Sequence, residues 1–106
     1  RSGAHWLVLH RDRRRGQLEF FDSLAEPDPG IYGPEFKVLR RRIRWRNKRR
    51  VQAYTSITCG HHAVYFIFNR LHAYESGADV MRYAYPKRIN HCDEIVSLFV
   101  QKPNKK

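Results

Sequence analysis

The stretch Cys59–Tyr74, CGHHAVYFIFNRLHAY, decides how the chain folds. Ala63, Phe66, Ile67, Leu71 and Tyr74 recur at the i, i+3, i+4 spacing of one helical face, and Val64 and Phe68 widen it. A central, largely buried helix is therefore expected over 59–74. The polar segment Thr55–Thr58 leads into it, and Gly77 breaks it. Ala78–Tyr85 reads as a short helix stopped by Pro86. A last helix is capped by Asn90, with Asp93 in its first turn and Ile95, Leu98 and Phe99 facing in.

Upstream, His5–His10 (HWLVLH) and Gln17–Phe21 (QLEFF) read as strands joined by the polar, Gly-terminated turn RDRRRG. A Pro/Gly-rich loop follows over 22–33. Pro34 opens a helix over about Glu35–Ile43, with Phe36, Leu39 and Ile43 on one face. Arg49–Tyr54 reads as a third strand. The order β-β-α-β-α-α-α gives an α+β domain: a small antiparallel or mixed sheet, hairpin plus third strand, packed on a central helix.

Composition narrows the function classes. The chain has 106 residues, a 42% hydrophobic fraction and 14 aromatics, enough for one domain with a core. Its longest apolar run is Ala63–Phe68, far short of the roughly 20 residues of a membrane span. Two cysteines exclude a disulfide scaffold and fit a reducing compartment. Nothing at the start reads as a secretory signal. The formal charge is +11. Arg11, Arg13, Arg14 and Arg15 form one basic cluster. A second is acid-free: Lys37, Arg40, Arg41, Arg42, Arg44, Arg46, Lys48, Arg49 and Arg50. Such density attracts polyanions, nucleic acid first, although charge alone reads no base sequence.

Three sites have reactive potential. With the hairpin turn centred between Arg13 and Arg14, paired positions sum to 27. His5 then lies opposite Asp22, Cβ atoms about 4.5–5.5 Å apart, and Leu7, Leu9, Leu18 and Phe20 share the core face. The bland alternative is a strand-end ion pair. Cys59 starts the central helix, where the dipole favours thiolate, and Gly60 admits a substrate backbone. The alternative there is a small buried hydrophobe, the reading kept for Cys92. Gln52, at the end of the third strand, can donate to an oxyanion alongside the Cys59 amide.

In chain order, His5, Asp22, Gln52 and Cys59 form a complete set for acyl transfer. With HW at 5–6, FFDS at 20–23, SxxCG at 56–60 and the closing NHCDEIVSLFV at 90–100, the sequence resembles the adenovirus-type cysteine proteases. That group includes the Polinton (Maverick) element enzymes and is related to the Ulp1-like SUMO proteases. The resemblance covers nearly the whole chain. It implies Cys59 as nucleophile, His5 as base and then acid, Asp22 as its orienter, and Gln52 with the Cys59 amide as oxyanion hole. Trp6 would pack beside the site. It implies a monomeric endopeptidase of viral or element structural polyproteins, working through a thioester with no required cofactor. Small residues, often Gly, would flank the scissile bond, and the enzyme would act in the virion and the host nucleus or cytoplasm.

The sequence also departs from that pattern. Only Arg1–Ala4 precede His5, so an N-terminally truncated protease domain is expected over 1–101, with a loose basic tail at 102–106. No Cys lies between Asp22 and Gln52, so the adenoviral activation by a disulfide-linked peptide does not carry over. DNA is an activator in that family, and Lys37–Arg50 is the segment that would contact it here. The rivals are a non-enzymatic nucleic-acid-binding domain, a Ulp1-like deconjugating enzyme for ubiquitin-like modifiers, and an inactive protease fold kept for interaction. Cys59, His61, His62, His91 and Cys92 match no paired-ligand spacing for zinc.

Overall fold

The computed structural model describes residues 5–101. Strands β1 (Val8–Arg11) and β2 (Leu18–Phe21) form an antiparallel hairpin, and β3 (Ile43–Arg46) runs parallel to β2 on its other edge. Helix α1 (Pro34–Leu39) connects β2 to β3. Then follow α2 (Cys59–His72), α3 (Gly77–Asp79, continued by a wider turn over Val80–Ala84) and α4 (Ile89–Gln101). The result is an α+β fold with a three-stranded mixed sheet and four helices, in the expected element order. The expectations for Arg1–Ala4 and for the tail at 102–106 lie outside the described residues.

Several boundaries and faces differ from the sequence reading. Val8 faces Phe21 and Arg11 faces Leu18, so paired positions sum to 29 rather than 27. The turn sets this register. The Asp12 carboxylate accepts from the Arg14 amide at 2.9 Å, and Gly16 sits at φ 67°, a left-handed conformation that costs glycine little. A slip of two leaves the membership of each face unchanged, but the face that meets the core is the other one: it carries Val8 and Phe21, while Leu9 is exposed. Phe20 is buried on the opposite face, edge-on to Phe36.

The third strand is Ile43–Arg46, not Arg49–Tyr54, and α1 stops at Leu39, before three consecutive arginines. Trp45 decides the matter. Its ring stacks on Phe66 at 6.0 Å, and Phe66 stacks on Phe21 at 4.3 Å. Packing that partly buried ring draws 43–46 onto the sheet, since each Å² of apolar surface covered contributes about 25 cal/mol. Gly77 lies against the far side of the indole: a Cβ there would meet Trp45 Cζ3 at 2.5 Å.

The buried face of α2 is Cys59, His62, Ala63, Phe66 and Arg70, with Tyr65 beside it. Val64, Phe68 and Leu71 are exposed, contrary to the expected wide face. On α4 the inward residues are Cys92, Val96 and Phe99, whereas Ile95 and Leu98 are exposed. Arg70 is buried among acids. Its Nε donates to Glu19 at 2.7 Å and its Nη2 lies 3.4 Å from Asp12, while the Gly77 amide donates to the other Glu19 oxygen. Buried charges need such pairing, and breaking one leaves an uncompensated ion.

Candidate active site

Asp22 leaves the end of β2 and is almost fully buried. Its Oδ1 lies 2.8 Å from His5 Nε2 and accepts from the Leu24 amide. Its Oδ2 accepts from the Tyr32 hydroxyl at 2.6 Å and from the Glu26 amide. Burial on its own raises the carboxyl pKa, but the four hydrogen bonds outweigh it, and the group lies below its ordinary value. The aspartate is therefore a held carboxylate.

His5 and Asp22 meet even though they are not opposite in the ladder. Continuing the observed register puts Leu7 across from Asp22 and makes His5 its diagonal neighbour, a separation that an imidazole can reach. The Tyr32 ring stacks on His5 at 5.4 Å. A carboxylate only accepts, so Nε2 carries the proton and Nδ1 offers a lone pair. His5 Nδ1 is buried and has no hydrogen-bond partner among the described residues.

Cys59 is the first residue of the 14-residue helix α2 and is 7% exposed. The next residue lies against the segment that carries His5, which precedes β1 rather than forming part of it as expected over His5–His10: a Cβ on Gly60 would lie 3.3 Å from Trp6 Cδ1. The pairs His5–Trp6 and Cys59–Gly60 thus come to the same end of α2. The positive end of the helix dipole is there, which favours negative charge on an oxygen brought to it.

Gln52 belongs to an irregular segment after β3, not to a strand. Two backbone amides, Val51 and Gln52, donate to the Ser23 carbonyl, which fixes this segment against the end of β2. The Gln52 side chain is fully buried. Its Oε1 accepts from Ser23 Oγ at 2.5 Å, and its Nε2 donates to the Ser56 carbonyl at 3.0 Å. The amide has two hydrogens, so one remains for another acceptor.

Three neighbours of these candidate residues carry no clear mark in the sequence. Tyr32 stood inside what read as a plain loop, although Pro29 and Gly33 framing it signal a defined turn, here a 3-10 turn over Pro29–Tyr32. Asn47 was hidden within the basic run. Its carboxamide accepts from the Asp22 amide at 3.0 Å and donates to the Asp22 carbonyl at 2.7 Å. Asp93 was read only as a first-turn acid. It accepts from Thr58, His62 and the Ala53 amide.

The basic residues divide into separate groups. Arg49 points inward, donating to the Met81 and Pro86 carbonyls and to Cys92 Sγ. Arg50 donates to the Gln52 carbonyl and lies over the Tyr54 ring at 3.9 Å. Arg40 pairs with Asp28 at 2.9 Å. Arg41, Arg42 and Arg44 instead join Arg11 and Arg15 around a cleft of about 410 Å³. Arg46 and Lys48, with Arg40, Arg44 and Trp45, line a second one of about 650 Å³, and Lys37 is exposed on α1. Cys92 is buried and its thiol donates to the Pro86 carbonyl; burial pushes its pKa up. Among the described residues, no group of three or more His, Cys, Asp or Glu is placed to hold a metal ion, and no helix is long and apolar enough to cross a membrane.

Comparison with known proteins finds no family model that matches the chain, and no curated protein or solved structure that matches it.

Proposed function

We propose that the chain is a cysteine endopeptidase of the adenovirus/Polinton type. The observation that carries this reading is the His5–Asp22 pair: Nε2 is 2.8 Å from a held carboxylate, while Nδ1 is buried and has no hydrogen-bond partner among the described residues. Most buried polar side-chain atoms have a partner, and His5 Nδ1 shares its lack of one with His61 Nδ1; what sets His5 apart is the carboxylate on its other nitrogen.

In the proposed reaction, the Cys59 thiol gives its proton to His5 Nδ1 and the sulfur attacks the substrate carbonyl carbon. The negative oxygen of the tetrahedral intermediate accepts from the Cys59 amide and from the spare Gln52 Nε2 hydrogen. Collapse breaks the C–N bond, and the leaving amine takes the proton from His5. Water then gives a proton to His5 and attacks the thioester, which releases the acid and restores the thiol. Asp22 holds the imidazole in the Nε2–H tautomer and offsets its transient charge. The substrates proposed are structural polyproteins of a virus or element, and the site of action is the virion and host cell.

DNA is the proposed second partner. The basis is the convergence of Arg11 and Arg15 with Arg41, Arg42 and Arg44 on one cleft. Nucleic-acid binding without hydrolysis is the alternative that this cleft favours. A peptide vinyl sulfone tests the enzymatic reading. It should alkylate Cys59, leave Cys92 unmodified and lose its reactivity in His5→Ala. Equal labelling of the two thiols, or labelling indifferent to His5, would leave the nucleic-acid reading standing.

A further inference from the structure

Thr58 occupies the N-cap of α2, yet its hydroxyl makes no cap hydrogen bond. A capping residue that does not cap is committed elsewhere. Thr58 Oγ1 donates to Asp93 Oδ1 at 2.8 Å, across to α4. The same oxygen lies 2.9 Å from His62 Nε2, and Asp93 Oδ2 accepts from the Ala53 amide at 3.1 Å. One carboxylate therefore grips both ends of the Ala53–Thr58 loop.

The loop connects Asp93 to both oxyanion donors. Thr58 Oγ1 has one hydrogen and gives it to Asp93, so the Ser56 hydroxyl, 2.6 Å away, donates to Thr58. Ser56 Oγ in turn accepts from the Thr58 amide, and the Ser56 carbonyl accepts from Gln52 Nε2. The path Asp93–Thr58–Ser56–Gln52 is unbroken. The other branch runs through His62, three residues beyond Cys59 on the same helix. Its ring is fully buried, with Nδ1 3.0 Å from the Tyr85 hydroxyl and its face stacked on Tyr85 at 5.7 Å. Burial holds the His62 pKa below its usual value, against the opposing pull of Asp93. The ring is thus neutral near pH 7 and cannot turn without losing one of its two bonds.

We propose that Asp93 is a positioning residue of the oxyanion hole, acting through Thr58 and His62 to hold Gln52 and the Cys59 amide where negative charge develops. This rests on the acyl-transfer reading given above. Donors to an oxyanion work mainly in the transition state, so loosening them lowers kcat and leaves KM nearly unchanged.

Amide hydrogen exchange tests the brace independently of catalysis. Asp93→Asn and Thr58→Val should speed exchange over 53–58 while the later turns of α2 stay protected; unchanged exchange would overturn the proposal. Turnover of p-nitrophenyl acetate tests the role. Thr58→Val should lower kcat by about tenfold or more with KM within about twofold, and Thr58→Ser should restore most of it. Iodoacetamide reports the thiol alone, so alkylation of Cys59 should change less than about twofold in Thr58→Val. Parental kcat in Thr58→Val, or alkylation falling in step with turnover, would refute the positioning role. A parent no faster than Cys59→Ala would instead sink the hydrolytic reading, and the positioning role with it; the exchange result would still decide whether Asp93 braces the loop.

Discussion

Asp22→Asn separates a catalytic carboxylate from a structural one. The four hydrogen bonds to Asp22 divide evenly, with His5 and the Leu24 amide on one oxygen and Tyr32 and the Glu26 amide on the other. Asparagine keeps one acceptor. If its oxygen stays with His5, its NH2 faces the Tyr32 hydroxyl, which can rotate and accept, and the Glu26 N–H, which cannot. One partly buried amide then loses its acceptor, a cost of about 1–3 kcal/mol. For a domain of this size, about 2 kcal/mol lowers Tm by about 8–16 °C. In the proposed reaction the effect is different, because the neutral amide no longer offsets the imidazolium formed when Cys59 gives up its proton. A loss in kcat of about 10²–10⁴-fold is expected. Thermal melts and p-nitrophenyl acetate turnover at a temperature well below both Tm values measure the two effects separately. A variant that melts lower but keeps kcat within about threefold would refute the reasoning, since the His5 contact would then be a strand-end tie and nothing more.

The same carboxyl predicts how stability varies with pH. Its folded pKa lies below the unfolded value, so the stability it contributes is present above about pH 4 and is lost as pH falls through the lower folded pKa. In urea melts, the gap between parent and Asp22→Asn should narrow from pH 5 to pH 3; a constant gap would contradict this. Gly77→Ala should destabilise by about 1–3 kcal/mol, because the new methyl meets the Trp45 ring, itself pinned on Phe66. An unchanged Tm, or an unchanged Trp emission, would speak against that packing. Replacing Arg41 and Arg42 by Ala should flatten the log–log salt dependence of DNA binding by about 2, and replacing Arg49 should not, since Arg49 already serves interior carbonyls. Equal effects from both would undo the assignment of the cleft.

Helix α2 was legible because fourteen residues of strong apolar period leave little choice of element. Its buried edge was less so, since Val64, Phe68 and Leu71 are apolar and yet face outward. Periodicity finds a stripe but does not say which side of it meets the sheet. The hairpin existed in the sequence, but its register depended on a hydrogen bond to the Asp12 side chain and one left-handed glycine, and its inward face was chosen by packing on α2, where Phe21 meets Phe66 and Leu9 is left at the surface. The third strand was hidden because Ile43–Arg46 is half arginine. Only the partners of Trp45, far off in the chain, show why it pairs. The order His5, Asp22, Gln52, Cys59 could be read directly. Tyr32, Asn47 and Asp93 could not, because each acts through a contact spanning ten or more positions, and their own neighbours in sequence carry no mark of it.

The Ser23 carbonyl receives two peptide amides, and Asn47 clasps the peptide of Asp22 from the other side. Asp22, which holds the His5 ring, and the Gln52 carboxamide proposed as an oxyanion donor are thereby mounted on a single chassis. Heat or denaturant that frees one is expected to loosen the other as well. Loss of the proposed activity on heating should therefore track the loss of this shared anchorage.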